Sequence, residues 1–307
     1  MLLNLKSLFN FLKSHPSEQK CINYFERLRW PDKVISPFDP NSKVYKCKGN
    51  KYKCKNTEKY FTVKTGTIFR NSNISLHKWF LALYMFSTYK NINSCQLVKV
   101  IKTTQPTAWF VLHRLREAYD LPEFKTMLEN SVEIDETFIG GKNKNRHWDK
   151  KAPHSQGRNW QDKKPILGIL KRDGNLICQV VPNTKLETLE PIIKANVKEG
   201  SNVYTDEWYR HSNLSKNFNH QIVNHSIKQY ANGKVSVNGI ENRWSHLKRM
   251  IYGTYCQAIS PKHLQKYIDE FIFRSNTRKH SEQERFDLVL LSSVGKSLSY
   301  KQLISTF

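Results

Sequence analysis

The sequence predicts an α+β fold, in which a mixed five-stranded sheet with helices follows a small β-ribbon and a helical module. Apolar residues keep a helical spacing through much of the first third of the chain. After Leu121-Pro122 that spacing gives way to short apolar runs bounded by turn residues. Such runs are typical of strands, and helical patterns lie between and after them.

The composition indicates a nucleic-acid partner. The 307 residues include 50 Lys and Arg against 26 Asp and Glu, a formal net charge of +24 that is spread over both halves of the chain. Such a field attracts polyanions, with an anionic membrane surface or a merely soluble basic protein as the alternative. No apolar run approaches the roughly 20 residues of a membrane helix. The six cysteines lack a disulfide-like spacing, so we expect a cytoplasmic protein without a membrane partner.

The first 72 residues are predicted to form a helical segment and then a ribbon. Residues 1–32 have apolar positions near helical spacing. Residues 33–72 contain two short strands, 43–48 and 51–55, around the turn Gly49-Asn50. Lys and aromatic residues interleave there, as they do along a phosphate backbone, although alternating Lys is also an ordinary solvated strand face.

Residues 73–125 are predicted to form a helix-turn-helix DNA-binding region. A helix precedes a short helix over residues 95–101, a polar turn and a longer helix that starts at Pro106. The final helix of such a motif enters the major groove, so Arg114 and Arg116 are candidate DNA contacts. A plain three-helix packing unit is the alternative.

The sheet is predicted within residues 126–280. Its strands are expected at residues 132–139, 165–170, 176–181, 203–206 and 221–223. One helix is expected before the fourth strand and others after the fifth. Three antiparallel strands, a helix, two further strands and a helix form the order of an RNase H-like domain. Residues 281–307 are left as a C-terminal tail.

A basic loop interrupts this predicted domain. Segment 142–164 contains eight basic residues and two acidic ones. We expect it to be exposed near DNA, with Lys142, Lys144 and Arg146 as candidate contacts. A disordered insertion is the alternative.

Two aspartates stand on predicted strands. Asp135 lies mid-strand among apolar residues, where a carboxylate is costly unless it binds something. Asp206 ends a short apolar strand, and strand ends are where open sheets place active groups. Taken singly, either one is more often a cap or an ion-pair partner.

A third carboxylate, Glu241, lies 35 positions after Asp206 on a helix from about residue 238. Its helix carries a buried stripe at helical spacing: Ile240, Trp244, Leu247 and Ile251. Glu241 and Lys248 share the edge of that stripe, so the carboxylate faces the sheet. Lys248 and Arg249 are candidate contacts to a DNA backbone, with surface salt bridges as the alternative.

The three carboxylates suit two-metal phosphoryl transfer. That chemistry needs hard oxygen ligands, from separate elements, that converge on two divalent ions. We therefore expect Asp135, Asp206 and Glu241 to bind Mg²⁺, for which Mn²⁺ can substitute. In this reading a bound ion activates water to attack a phosphodiester.

Long stretches of this chain resemble the Merlin-related bacterial insertion-sequence transposases. In the second half they are Val132-Glu-Ile-Asp-Glu-Thr-Phe-Ile-Gly-Gly-Lys, Val203-Tyr-Thr-Asp-Glu, Ile240-Glu-Asn-Arg-Trp-Ser-His-Leu-Lys-Arg-Met-Ile-Tyr-Gly-Thr-Tyr and Ser260-Pro-Lys-His-Leu-Gln-Lys-Tyr-Ile-Asp-Glu-Phe. Upstream they are Thr65-Gly-Thr-Ile-Phe, Lys78-Trp-Phe and Thr107-Ala-Trp-Phe-Val-Leu-His-Arg-Leu-Arg-Glu. The resemblance as a whole covers roughly residues 20–280.

The resemblance implies a DDE transposase with an RNase H-like catalytic domain, in which Asp135, Asp206 and Glu241 are the metal-binding catalytic triad. Such an enzyme cleaves transposon-end DNA at terminal inverted repeats and transfers the strand to target DNA. We expect it to act as a homodimer or higher oligomer on DNA. Two rivals are a DNA-binding regulator that has lost catalysis, which the intact triad argues against, and an RNase H-like nuclease that never joins strands.

The sequence departs from this family at two places. The family usually has a His five positions before the catalytic Glu, where this chain has Ser236. It also usually has two zinc-binding Cys pairs in the ribbon. The corresponding places hold Ser36 and Asp39, and then Cys54 and Thr57.

We predict that the ribbon folds without structural Zn²⁺. A closed zinc site needs about four Cys or His ligands, whereas residues 31–69 contain only Cys47 and Cys54 and no His. An apolar cluster is expected to compensate, formed by Val44, Tyr45, Tyr52, Tyr60, Phe61 and Val63. Elemental analysis of protein purified without a histidine tag measures this. One zinc per chain, released as this segment unfolds, would contradict the prediction.

Overall fold

The computed structural model describes residues 8–88, 91–140, 147–150, 163–223, 236–256 and 259–305. The chain divides into two compact units. The first comprises Met1–Asp120 and Lys279–Phe307, and the second comprises Leu121–Arg278. Within the described ranges, no helix is long and apolar enough to cross a membrane.

The elements are as follows in chain order. The helices are α1 (Leu8–Ser14), α2 (Glu18–Arg29), α3 (Leu76–Thr88), α4 (Ser94–Ile101), α5 (Gln105–Glu117), α6 (Leu186–Asn196), α7 (Asn238–Lys248), α8 (Leu264–Asn276), α9 (Glu282–Ser292) and α10 (Tyr300–Ile304). The strands are β1 (Val44–Cys47), β2 (Lys51–Cys54), β3 (Tyr60–Phe61), β4 (Ser131–Ile139), β5 (Lys164–Lys171), β6 (Leu176–Val180), β7 (Asn202–Asp206) and β8 (Asn219–Val223).

The first three strands form an antiparallel sheet in the order β1-β2-β3. Gly49 and Asn50 connect β1 to β2 with φ angles of +70° and +57°, a left-handed backbone that these two residue types tolerate best. The Tyr52 and Phe61 rings stack 5.5 Å apart, and both side chains are buried together with Val63. Tyr45 and Tyr60 were expected in the same cluster, but they are exposed because each alternates to the outer face of its strand.

The places that correspond to the family's zinc ligands hold Ser36, Asp39, Cys54 and Thr57, and Ser42 lies nearby. The Ser36 hydroxyl accepts the backbone N–H of Phe38 at 3.1 Å, and the Ser42 hydroxyl accepts that of Asn56 at 3.0 Å. Cys54 is fully buried between them. Burial raises the pKa of its thiol, but the neighbouring polar groups of Ser36, Ser42 and Thr57 outweigh burial and lower the pKa to about 6. This part of the ribbon is therefore held by a hydrogen-bonded network.

The C-terminal segment, expected from the sequence as a tail, is built into the first unit. Phe286 of α9 is fully buried, with its ring 5.3 Å from that of Phe80 and 5.8 Å from that of Phe11. Further along, the backbone of Thr67 forms a bridge with that of Val294. The chain thus returns to complete the core that α1 and α3 begin.

The second unit contains the predicted mixed five-stranded sheet, in the order β6-β5-β4-β7-β8. The pairs β4-β5 and β5-β6 are antiparallel, whereas the pairs β4-β7 and β7-β8 are parallel. The prediction of an α+β fold with this sheet is confirmed. The strand order and directions are compatible with an RNase H-like arrangement.

Helices cover both faces of this sheet. On β5, Ile166 and Leu170 pack into a core with α7 and α8, while Leu167 and Ile169 pack into a core with α6 on the other face. This alternation follows from the two-residue period of a strand. Because both faces are buried, β5 is a continuous apolar run.

We predict that Phe286→Ala destabilises the first unit by about 3 to 5 kcal/mol, the usual cost of removing a fully buried Phe ring. The matched control is Leu291→Ala on the same helix, whose side chain is 44% exposed, with an expected effect below about 0.5 kcal/mol. The free energy of unfolding of both variants is measured in urea, with hydrogen exchange of α2 and α3 as the probe of the first unit. Equal effects of the two substitutions would contradict a core role for α9.

Candidate active site

Asp135 lies in the middle of the central strand β4, on the face that α7 covers. Its neighbour across the antiparallel ladder is Gly168 of β5. A Cβ atom at Gly168 would lie 2.3 Å from Cη2 of Trp244, so only glycine lets the α7 indole lie this close to the strand. The Trp244 Nε1 group then donates a hydrogen bond of 2.9 Å to Oδ2 of Asp135.

The hydrogen bond from Trp244 fixes the orientation of the Asp135 carboxylate. Sequence periodicity placed Trp244 in the buried stripe of α7 but did not reveal this polar role. The available signal was Gly168, since a glycine within an apolar strand often marks a close approach of another element.

Asp206 is the last residue of β7, which lies beside β4 in the sheet. The parallel register pairs Glu133 with Tyr204, so two residues further along each strand Asp135 and Asp206 are level with each other. Oδ1 of Asp206 accepts the backbone N–H of Trp208 at 3.0 Å. This bond caps the short 3-10 helix Glu207–His211 and limits the rotation of the carboxylate.

Glu241 lies in the first turn of α7 and its side chain is exposed. Three turns of this helix lie against the sheet through Ile240, Trp244 and Leu247, which are all buried. The structure therefore brings the start of α7 to the region of the sheet that carries Asp135.

The environment of Asp135 includes the negative charges of Asp206 and Glu241. Burial is the largest cause that raises the pKa of Asp135, followed by the negative charge of Asp206; Glu241 adds a smaller effect, and the pKa reaches about 6 despite the opposing hydrogen bond from Trp244. Like charges raise a carboxyl pKa only when they are near it. The three predicted residues therefore share one electrostatic neighbourhood.

The three carboxylates have the chemistry of a site for a divalent cation that prefers oxygen, but their arrangement in the structure is not a formed metal site. Three carboxylates supply hard, negatively charged ligands, and a cation beside them would offset both the burial and the like charges that raise the pKa of Asp135. Over the ranges that the structure describes, no three His, Cys, Asp or Glu side chains form a group that could hold a metal ion. The carboxylates are thus neighbours without forming a closed ligand set.

The predicted DNA contacts of the second unit differ in what the structure shows. Lys248 and Arg249 are exposed at the end of α7, and Nη2 of Arg249 lies 3.2 Å from Nδ1 of His246. Both are accessible to a phosphate backbone. Lys142, Lys144 and Arg146 fall outside the described residues.

Arg114 and Arg116 lie inside the first unit instead of on its surface, with 6% and 0% of their area exposed. Nη2 of Arg114 donates to the Arg70 carbonyl at 2.6 Å, and the Arg116 guanidinium lies 5.4 Å from the centre of the Phe86 ring. The structure therefore does not support direct DNA contact through these two side chains. Helical spacing alone did not show that α5 is covered on several sides.

We predict that Asp135→Asn stabilises the metal-free protein in a pH-dependent manner. Because the folded pKa of Asp135, about 6, exceeds its ordinary value of 3.8, the ionised carboxylate costs stability above pH 6. That cost disappears as the pH falls through 6 toward 4. The variant should melt about 3 to 6 °C higher than wild type at pH 8 in EDTA, and this difference should vanish near pH 4.

The control is Asp173→Asn, an exposed turn residue with a φ of +57° that Asn tolerates. Its melting temperature should follow that of wild type at every pH. A stabilisation by Asp135→Asn that is independent of pH would show that repulsion among the carboxylates is not its cause.

Comparison with known proteins places this geometry in a family. The ISXO2-like transposase domain matches residues 127–276, the part of the chain that contains all three carboxylates. A protein of transposable element ISH50 from Halobacterium salinarum is 27% identical over 296 residues, 91% of this chain and 98% of that protein. A transposase-like protein of Haemophilus influenzae is 36% identical over 105 residues, 34% of this chain and 83% of that protein.

Among solved structures, a pre-cleavage Mos1 transpososome aligns over 71% of this chain and 79% of that chain, with 13% identity and a TM-score of 0.19. A score this low supports no conclusion about the fold. The sequence matches show the family, and they agree with the resemblance that the motifs indicated. The chain belongs to the insertion-sequence transposases, with an ISXO2-like transposase domain.

Proposed function

We propose that this protein is a DDE transposase, which cuts the ends of its insertion sequence and joins them to target DNA. The observation that carries the proposal is geometric: Asp135 and Asp206 lie level on the neighbouring strands β4 and β7, and Glu241 lies on α7, the helix that covers Asp135. These three residues come from β4, β7 and α7 within the matched transposase domain.

Asp135, Asp206 and Glu241 would hold Mg²⁺, or Mn²⁺ in its place. When bound, a divalent ion supplies Lewis-acid activation of the phosphoryl group and a counter-charge for the attacking and leaving oxygens. The fixed rotamer of Asp135, set by Trp244, would keep one carboxylate oxygen available for this role. The capping bond to Asp206 would act in the same way.

Reaction of transposon-end DNA at this site would proceed in two phosphoryl transfers. In the first, water attacks a phosphodiester at the end of the element and the 3′-hydroxyl leaves. In the second, that hydroxyl attacks a phosphodiester of target DNA and the displaced strand end leaves. Lys248 and Arg249, exposed at the far end of α7, would hold the phosphate backbone.

The first unit would bind the terminal inverted repeats. The short helix α4, a turn and the longer helix α5 have the outline of a helix-turn-helix. Base contacts come from the first residues of the final helix. Thr104 and Gln105 are exposed at the start of α5, and Lys102 is exposed in the turn before it. We propose these three residues as DNA contacts in place of the buried arginines.

The outer face of the ribbon would add contacts to phosphates, since its lysines flank exposed Tyr45 and Tyr60. The basic segment 142–164 would contact DNA beside the catalytic domain, proposed at residues 126–280. We also propose that the protein works in the cytoplasm as a homodimer or higher oligomer, because two transposon ends must be brought together.

We predict that Asp135→Ala, Asp206→Ala and Glu241→Ala each lower the rate of strand cleavage at least about a hundredfold, while DNA binding stays nearly intact. Loss of an acidic ligand removes metal binding but also removes charge that repels phosphate. The control is Glu199→Ala, an exposed carboxylate outside the site. Cleavage and gel-shift assays use DNA that carries the inverted repeats flanking the coding region.

Near wild-type cleavage by any one variant would remove that residue from the triad. Asp206→Cys gives a sharper test, because a thiolate favours Mn²⁺ over Mg²⁺. Cleavage should be lost in Mg²⁺ and partly restored in Mn²⁺. A wild-type protein that binds but never cleaves would be a regulator, and one that cleaves but never joins would be a nuclease.

A further inference from the structure

We propose that Glu133 and Arg172 form a positioning pair that docks the start of α7 on the sheet and thereby sets Glu241 relative to Asp135. This inference rests on the proposed function for its catalytic meaning. Neither residue is in the triad.

Glu133 lies on β4 two residues before Asp135, on the same face of the strand, and it is buried. Its two oxygens have different partners. Oε1 accepts a hydrogen bond from Nε of Arg172 at 2.8 Å, and Oε2 accepts one from the backbone N–H of Ile240 at 2.9 Å. One carboxylate thus connects β4 both to Arg172 and to the first turn of α7.

The first turn of α7 needs such an acceptor. The first backbone N–H groups of a helix have no partner within it, and Val237 at the N-cap provides no side-chain hydrogen bond. Glu133 serves that purpose from another element, and its negative charge is favourable at the positive end of the helix dipole. A cap supplied by the central strand fixes the helix on the sheet as well as stabilising its end.

Gly239 makes this close contact possible. A Cβ atom at that position would lie 2.7 Å from Oε2 of Glu133 and 3.2 Å from Oε1. Any larger residue must push the helix start away from the carboxylate. Since Glu241 follows two residues later, such a displacement would move it as well.

Arg172 connects the three elements that carry the triad. Besides Glu133 on β4, it binds Ser236 just before α7: Nη2 donates to the carbonyl oxygen at 2.8 Å and to the hydroxyl at 3.1 Å. Its guanidinium also lies 4.3 Å from the centre of the Tyr204 ring on β7, two residues before Asp206. Only a planar group with several donors can make these contacts at once.

The family's usual His is replaced here by Ser236, and its hydroxyl is engaged by Arg172. The residue that departs from the family pattern, Ser236, therefore takes part in the proposed positioning contact. Removing an outer residue that orients a metal ligand typically weakens metal affinity by about 10- to 100-fold. A pair that only stabilises the fold would change melting temperature without that effect.

The test compares Glu133→Gln, Arg172→Met and the milder Arg172→Lys and Gly239→Ala with wild type. The matched control is Arg274→Met, which removes another buried Arg–Glu pair of the same unit, with Nη2 of Arg274 3.1 Å from Glu270, away from the start of α7. Hydrogen exchange of residues 236–244 reports docking. The shift in melting temperature on titration with Mn²⁺, without DNA, reports metal affinity.

We expect faster exchange at residues 236–244 in the four variants, and Mn²⁺ affinity about 10- to 100-fold weaker in Glu133→Gln and Arg172→Met. Arg172→Lys should lie between them and wild type. Arg274→Met should melt lower but match wild type in both readouts. Unchanged exchange overturns docking, and faster exchange with unchanged Mn²⁺ affinity overturns the positioning role.

Cleavage separates this inference from the proposed function. If wild type does not cleave end DNA, the proposed function fails, while exchange and Mn²⁺ titration still decide whether the pair sets the site. If wild type cleaves and Asp135→Ala does not, the half-maximal Mn²⁺ concentration for cleavage should rise in Arg172→Met. A cleavage profile identical to that of Arg274→Met would overturn the inference alone.

Discussion

Two carboxylates on one face of β4 must be matched by donors from the helix that covers them. Glu133 and Asp135 both face α7, and unpaired carboxylates in such a place would be costly. The backbone N–H of Ile240 and the indole N–H of Trp244 supply the matching donors. Because both come from α7, the same bonds that stabilise the carboxylates also fix the helix.

Close packing is the condition for those bonds. Gly168 admits the Trp244 ring and Gly239 admits the Glu133 carboxylate, and a Cβ at either position would approach these groups to 2.3 Å and 2.7 Å. The lack of a Cβ atom at Gly168 and Gly239 thus lets α7 lie this close to the sheet. Asp135, Asp206 and Glu241 bring further negative charge to this side of α7, which the proposed divalent cation would balance.

The core of the first unit is built differently, because residues near the C-terminal end of the chain complete it. The aromatic cluster of α1 and α3 closes only when Phe286 returns from α9. Arginines of α5 are covered in the interior, which moves the accessible part of that helix to its first residues. DNA recognition by this unit is therefore expected from polar side chains near Thr104, backed by the lysines of the ribbon.

The sequence by itself determined the order of the elements in the second unit and its mixed five-stranded sheet, and it singled out three carboxylates as the candidate site. Strand and helix periodicity are local, and a carboxylate in an apolar strand is conspicuous without knowledge of its neighbours. Tertiary structure alone decided that Arg114 and Arg116 are buried, that residues from 281 onward belong to the first core, and that Trp244 and Arg172 donate hydrogen bonds to Asp135 and Glu133. These facts depend on contacts between residues far apart in the chain, such as Arg172 with Ser236, which no local pattern encodes.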